Sequence, residues 1–289
     1  MEEAEECAVV TGGGSGIGRA LAWELVRRES KYQGKVLIVG RREEALRETK
    51  RQCLLLHGEA SAERLVTVAA DIATEEGRAL VADALPPTAS LRFLVHNAGV
   101  VSPVESVHNL RLNEWRAAMA INVEAPLFLT QALLPHLQRH NKNKGGEGEG
   151  ARVLMVGSGA ASKAYQGWTA YCVSKAALHM LTKCLDVELA SPAQTQKEEE
   201  GKEERDSVRV GWIRPGKVDT AMQEEIRGSS QQVFPMVSYF KEQKESGHLL
   251  PPERVARFMS FILCETTLQE FAEHEWDIYQ DLHRVSQAE

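Results

Sequence analysis

The chain has 289 residues, 43% of them hydrophobic and 26% charged, with a formal net charge of -7. That balance excludes gross disorder and a fibrous class, and it argues against a dedicated nucleic-acid binder, whose phosphate-tracking surface needs a basic excess. Five cysteines (Cys7, Cys53, Cys172, Cys184 and Cys264) occur without a CxxC pair, which disfavours a disulfide framework or a zinc site and points to a reducing compartment. The acidic start "MEEAEECAVVTGGG" runs straight into a strand pattern, leaving no room for a secretory leader. No stretch is expected to reach the apolar length that spans a bilayer. The expectation is a cytoplasmic protein with no membrane or nucleic-acid partner and no metal.

In chain order, short β-branched runs alternate with longer segments of helical spacing. Strands are expected at 7–11, 35–39, 64–70, 91–96, 152–157 and 208–213, with a seventh in 271–278. Several are continuous apolar runs, as strands buried on both faces require. Helical patterns fill 17–29, 42–56, 75–85, 123–140, 169–190 and 252–264. The alternation predicts an α/β fold: one Rossmann-like, doubly wound parallel sheet of about seven strands with helices on both faces. Two polar stretches, "NKNKGGEGEG" at 141–150 and "QTQKEEEGKEERD" at 194–206, read as charged surface loops inside a single domain spanning 1–289.

The first strand leads into "VVTGGGSGIGRAL", with Gly12, Gly16 and Gly18 framing Ser15 and Ile17. Glycines there let the backbone turn sharply and a pyrophosphate approach, while the following helix offers its positive end. A purely structural loop is the alternative, but the position after a first strand favours a dinucleotide. At the end of the second strand, where an acid would hold the ribose of NAD, stand Arg41 and Arg42. A guanidinium suits a 2′-phosphate, so NADP(H) is the expected cofactor; a solvated helix start is the alternative, chiefly for Arg42. Arg19 offers a second phosphate contact.

Ligands in open α/β folds bind beyond the carboxyl ends of the strands. The next strands end in Asp71, in Asn97–Gly99, in Ser158, and in Pro215 with Gly216. Asp71 suits the adenine amino group or the cap of the next helix. Asn97, Ala98 and Gly99 form a tight turn or a wall of the cofactor cleft. Tyr171 and Lys175 are four residues apart on one expected helix face. An ammonium beside a phenol favours the phenolate, lowering its titration toward the working range. Such a phenol can donate a proton to the oxygen that hydride transfer leaves negative, and Ser158 can hold that oxygen. Alone, this Tyr–Lys pair would be surface decoration.

Together these residues resemble the short-chain dehydrogenase/reductase family in its classical form. "TGGGSGIG" matches its cofactor loop, "NAG" its turn after the fourth strand, Asn122 in "AINV" its helix asparagine, Ser158 its carbonyl-orienting serine and "YCVSK" its YxxxK pair. The resemblance implies that Asn122 organises a water in a proton relay, that Tyr171 and Lys175 lie at the nicotinamide ribose, and that Val218 and Thr220 in "RPGKVDTAM" contact the carboxamide. Three departures stand out: His96 replaces a common asparagine, Gly157 a common serine, and Ser15 a basic residue of many NADP members. Within the family, "GRREEALRE", "GWTAYCVSKAA" and "PGKVDTAMQEEIR" resemble sepiapterin reductases and benzil-reductase-like enzymes. That likeness implies reduction of a ketone or vicinal dicarbonyl on a ring-bearing small molecule. It also implies Asp277 against a pterin edge and a homodimer through helices at 110–140 and 169–190. Trp168 and Trp212 suit the flanks of an aromatic substrate or the core. Two further readings remain, an NADP(H) sensor without turnover and an NAD-linked alcohol dehydrogenase.

Overall fold

A computed structural model describes residues 5–143, 150–190 and 208–287. Seven strands form one all-parallel sheet in the order β3-β2-β1-β4-β5-β6-β7. They are β1 (Glu6–Thr11), β2 (Lys35–Gly40), β3 (Leu65–Ala69), β4 (Ser90–His96), β5 (Arg152–Val156), β6 (Arg209–Arg214) and β7 (Glu275–Asp277). The two-residue period of a strand divides each apolar run between two cores. Ala8, Val10, Val36, Ile38, Phe93 and Val95 face one, and Cys7, Val9, Leu37, Val39, Leu91 and Leu94 face the other.

The first core is closed by α1 (Gly16–Val26), α2 (Glu43–His57) and α10 (Pro252–Cys264) through Leu21, Leu25, Leu46, Phe258 and Ile262. The second is closed by α4 (Glu75–Asp83), α6 (Ala125–Asn143) and α7 (Thr169–Ala190) through Val81, Leu129, Leu133, Leu137, Leu178 and Leu185. The chain leaves β1 outward to β2 and β3, then returns across the sheet to β4. The carboxyl ends of β1 and β4 therefore border the crevice where the winding reverses.

Short helices absent from the sequence pattern complete the fold: α3 (Glu59–Glu63), α5 (Leu112–Met119), α8 (Ala221–Arg227), α9 (Val237–Glu245), α11 (Leu268–Glu273) and α12 (Ile278–Asp281). Most bury one or two side chains, Gln223 and Ile226 in α8, Val237 and Phe240 in α9, too few to write an apolar stripe. A π-helical turn, Ala120–Glu124, joins α5 to α6. The continuous run Leu112–His140 has a mean hydropathy of 1.4 over its most apolar window and is long enough to cross a membrane by length and composition. This corrects the expectation that no segment reaches that length. Its apolarity has a local cause, because Leu129, Leu133 and Leu137 recur every fourth residue and are buried against the sheet. α6 also runs three residues into the loop expected at 141–150, whereas the loop expected at 194–206 lies outside the described residues.

Candidate active site

The crevice is assembled around the last residue of β1. Thr11 Oγ1 donates to the Val95 carbonyl at 3.2 Å and accepts the backbone N–H groups of Asn97 and Ala98, each at 3.0 Å. Asn97 Nδ2 donates back to the Thr11 carbonyl at 2.8 Å. A Cβ on Gly12 would lie 2.8 Å from Asn97 Nδ2, and one on Gly18 would lie 2.5 Å from the same atom. Only glycine lets loop, turn and helix close up this far. A Cβ on Gly16 would meet the Thr220 methyl at 3.0 Å, so the segment after β6 also reaches this loop. Ser15 is the exposed N-cap of α1, its hydroxyl makes no capping bond, and the first turn carries no acid. The positive helix end is thus left unneutralised toward an anion. Ile17 packs at the edge of the first core.

Arg41 and Arg42 border a cleft of about 370 Å³ with Gly12, Gly14, Ser15 and Gly40. Both are exposed, and neither guanidinium has a hydrogen-bond or ion-pair partner among the described residues. These unspent cations beside the glycine turn fit a phosphorylated dinucleotide. Arg19 does not join them. Its guanidinium donates to the Gly14 carbonyl at 2.6 Å, to Thr49 Oγ1 at 3.1 Å and to Gln52 Oε1 at 3.4 Å, so it braces the loop from behind. Asp71 is not the helix cap. Its Oδ1 accepts the Ala73 N–H at 3.1 Å, while Thr74 caps α4 by accepting the Gly77 N–H at 3.0 Å. Half-buried, Asp71 remains at the crevice end of the sheet.

Asn122 sits in the π turn, 1% exposed. Its Oδ1 accepts the Val100 N–H, and its Nδ2 donates to the Val100 carbonyl and to Ser174 Oγ, all at 2.9 Å. Ser174 in turn donates to the Tyr171 carbonyl at 2.8 Å. A Cβ on Gly99 would lie 3.1 Å from Asn122 Oδ1 and 3.6 Å from Lys175 Nζ, so turn, asparagine and lysine converge. Ser158 follows β5 and accepts the Ala160 N–H at 3.1 Å, and its hydroxyl lies beside the Tyr171 phenol, whose titration it lowers. Lys175 Nζ donates to the Val156 carbonyl at 3.0 Å and stands 5.9 Å from the Tyr171 ring centroid. Four expected residues, Asn122, Ser158, Tyr171 and Lys175, are therefore brought together.

Their electrostatics correct one expectation. Burial pushes the Tyr171 phenol above its ordinary value, partly offset by the bond from Ser158, so the neighbouring amine does not acidify it. The same burial pulls Lys175 down to about 8. Both charged forms lose solvation in one enclosed site, and that loss is the largest cause of each shift. His96 is held neutral by burial, down to about 3, with Nε2 paired to Thr130 Oγ1 at 2.9 Å.

Trp168 is buried, edge-on to Tyr171 with ring centroids 5.4 Å apart, and stacked on Phe234 at 4.6 Å. Trp212 is in the core instead, against His179 at 4.5 Å, and its ring fills the space a Cβ on Gly157 would enter. That is why glycine stands there. Pro215, Gly216, Val218 and Thr220 follow β6; Val218 bridges to Leu250, and Thr220 is the N-cap of α8. Asp277 is not an open carboxylate. Its Oδ2 faces Arg214 Nε at 3.3 Å, and its Oδ1 accepts the Tyr279 N–H at 2.9 Å. Sequence reasoning missed Thr11, Ser174, Phe234 and Phe240. Ser174, one turn from Tyr171, was findable by helical spacing, whereas the partners in 234–240 carry no local signal.

The family model for short chain dehydrogenase matches residues 6–231. An uncharacterized oxidoreductase of Schizosaccharomyces pombe is 34% identical over 264 residues, covering 90% of this chain and 92% of that protein. The (S)-benzoin-forming benzil reductase of Bacillus cereus is 28% identical over 267 residues, 92% of this chain and 96% of the enzyme. Among solved structures, the KRED1-Pglu enzyme superposes with a TM-score of 0.75 at 25% identity, over 94% of this chain and 100% of that one. A metagenomic short-chain oxidoreductase in complex with NADP has a TM-score of 0.66 at 22% identity, over 96% of this chain and 98% of that one; it shares the fold. With a seven-stranded parallel sheet, a glycine-lined crevice and a Ser–Tyr–Lys constellation at its mouth, the chain belongs to the short-chain dehydrogenase family of oxidoreductases, which act on CH–OH and C=O groups.

Proposed function

We propose that the protein is an NADPH-dependent carbonyl reductase acting on a ketone or vicinal dicarbonyl carried by a ring-bearing small molecule, a sepiapterin-like pterin or an aromatic diketone. The observation that carries this reading is the Ser158–Tyr171 hydroxyl pair set beside Lys175 and Gly99 at the mouth of the glycine-lined crevice. Gly12, Ser15, Gly16, Ile17, Gly18, Arg41, Asp71, Asn97, Ala98, Gly99, Lys175, Pro215, Gly216, Val218 and Thr220 would hold NADPH, which would supply the hydride. Ser158 and Tyr171 hold the carbonyl oxygen. Tyr171, kept as a phenol by burial, gives that oxygen its proton; the Lys175 ammonium stands behind it to resupply one, and Asn122 fixes the Gly99–Val100 turn beside that lysine. Trp168, edge-on to Tyr171 and stacked on Phe234, backs the tyrosine with a rigid aromatic cluster next to which a ring-bearing substrate would dock. The benzil reductase relative supports the diketone arm, while the engagement of Asp277 with Arg214 weighs against a free pterin anchor.

The test is consumption of NADPH and of NADH with sepiapterin, benzil and small quinones. The expected result is turnover of a dicarbonyl with kcat/KM at least about tenfold higher for NADPH, the size of one charge-assisted contact. Equal or better use of NADH would refute the role of Arg41 and favour an NAD-linked alcohol dehydrogenase; binding of NADPH with no turnover would favour a sensor. A cytoplasmic homodimer completes the proposal. Along α7, Val173, Met180 and Val187 are exposed at seven-residue intervals, and Phe128 is exposed on α6, a stripe suited to a second copy. Sedimentation as a monomer would refute it.

A further inference from the structure

Lys217 stands between Gly216 and Val218, in the segment that follows β6. Its half-buried side chain reaches across to α9, where Nζ donates to Tyr239 Oη and to Gln243 Oε1, each at 2.6 Å. The ammonium also lies 5.0 Å from the Tyr239 ring centroid. Its backbone N–H donates to Tyr279 Oη at 2.9 Å, and its carbonyl accepts the Leu250 N–H at 2.8 Å. Two residues on, Asp219 pairs with Lys244, also on α9, at 2.5 Å. Lys217 has no carboxylate partner among the described residues. Its three N–H donors serve geometry rather than charge neutralisation.

α9 buries only Val237 and Phe240, so apolar packing alone holds it weakly and polar tethers decide where it stands. Its inner surface continues the line of contacts. Tyr239 meets Phe240 edge-on at 5.4 Å, Phe240 meets Trp168 at 5.7 Å, and Trp168 meets Tyr171 at 5.4 Å. Phe234 closes the group, 4.6 Å from Trp168 and 5.7 Å from Phe240. An unbroken chain of side chains therefore links Lys217 to the catalytic tyrosine.

Building on the reductase reading, we propose that Lys217 is a positioning residue that pins α9 and so holds the aromatic wall of Phe234, Phe240 and Trp168 at the distance from Tyr171 that admits two-ring substrates. A small dicarbonyl that reaches only Ser158 and Tyr171 does not feel the wall.

The test uses the full chain. Lys217→Met keeps the stem and removes both side-chain bonds, Tyr239→Phe keeps the ring contacts and removes one bond, and Lys217→Arg keeps the charge and donors. With benzil as the two-ring probe, Lys217→Met should raise KM about tenfold, leaving kcat and the NADPH dissociation constant within about twofold, as loss of a bond from a charged donor outside the reacting atoms predicts. KM for butane-2,3-dione should move by less than about twofold, Lys217→Arg should recover most of the loss, and Tyr239→Phe should add nothing to Lys217→Met. Hydrogen exchange of the α9 amides should quicken in Lys217→Met. An equal rise in KM for both diketones, a parallel loss of NADPH affinity, or unchanged α9 exchange would each overturn the proposal. If the parent reduces neither diketone, the reductase reading fails; exchange then decides the tether alone, quickening upholding it and constancy ending it.

Discussion

Among the four residues gathered at the crevice, Lys175 is the one whose titration burial brings into the working range. It is 5% exposed, its Nζ rests on the Val156 carbonyl, and burial brings its titration from 10.5 down to about 8. Below that value the amine is charged and can support proton donation by Tyr171. As pH rises through it, the charge is lost while the phenol, itself pushed upward, stays protonated. The kcat/KM for NADPH, which reports the free enzyme, should therefore be level in the acid range and fall as pH rises through about 8. Lys175→Arg, charged throughout, should lose that limb whatever its absolute rate. A limb that persists in the variant would assign it to another group. The identities of Asn122, Ser158, Tyr171 and Lys175 were legible in the sequence as spacings and strand ends. The titration of Tyr171 was not, because the burial that governs it needs partners such as Phe234 and Phe240, some sixty residues away by the numbering.

Among the elements, those with a long uninterrupted apolar stripe were readable. The residues of α7 and α10 match their expected spans, and the six longer strands match within two residues at either end. α5, the π turn and α6 were readable only in part, because the extra residue of the π turn breaks the helical period at the point where Asn122 is turned onto Val100. β5 and β6 show how one strand dictates another. Met155 pairs with Trp212 in the sheet, and the indole covers the next position on β5's path, so Gly157 replaces the family's common serine. Gly157→Ser should then destabilise by about 1–3 kcal/mol through overpacking, lowering Tm by about 5 °C. Adding Trp212→Val should recover part of that loss by making room. Thermal unfolding of the single and double variants checks this, and a Gly157→Ser protein as stable as the parent would show that the ring yields freely.

For the whole molecule, two cores on either side of one parallel sheet fix where the winding reverses, and that reversal fixes the crevice. This much was legible because alternation and strand-end residues are local features. The short helices between Gly216 and Asp281 were not, since they take their places from tethers such as Lys217 to Tyr239 and Arg214 to Asp277, which no periodicity announces. In the proposed reaction Tyr171 delivers the proton to the carbonyl oxygen. That role is tested most directly by comparing Tyr171→Phe with the parent in NADPH oxidation, using a dicarbonyl that the parent reduces. The expected result is a fall in kcat of about a thousandfold, the scale of a lost general acid, with NADPH affinity within about twofold. A variant that turns over as fast as the parent would contradict it.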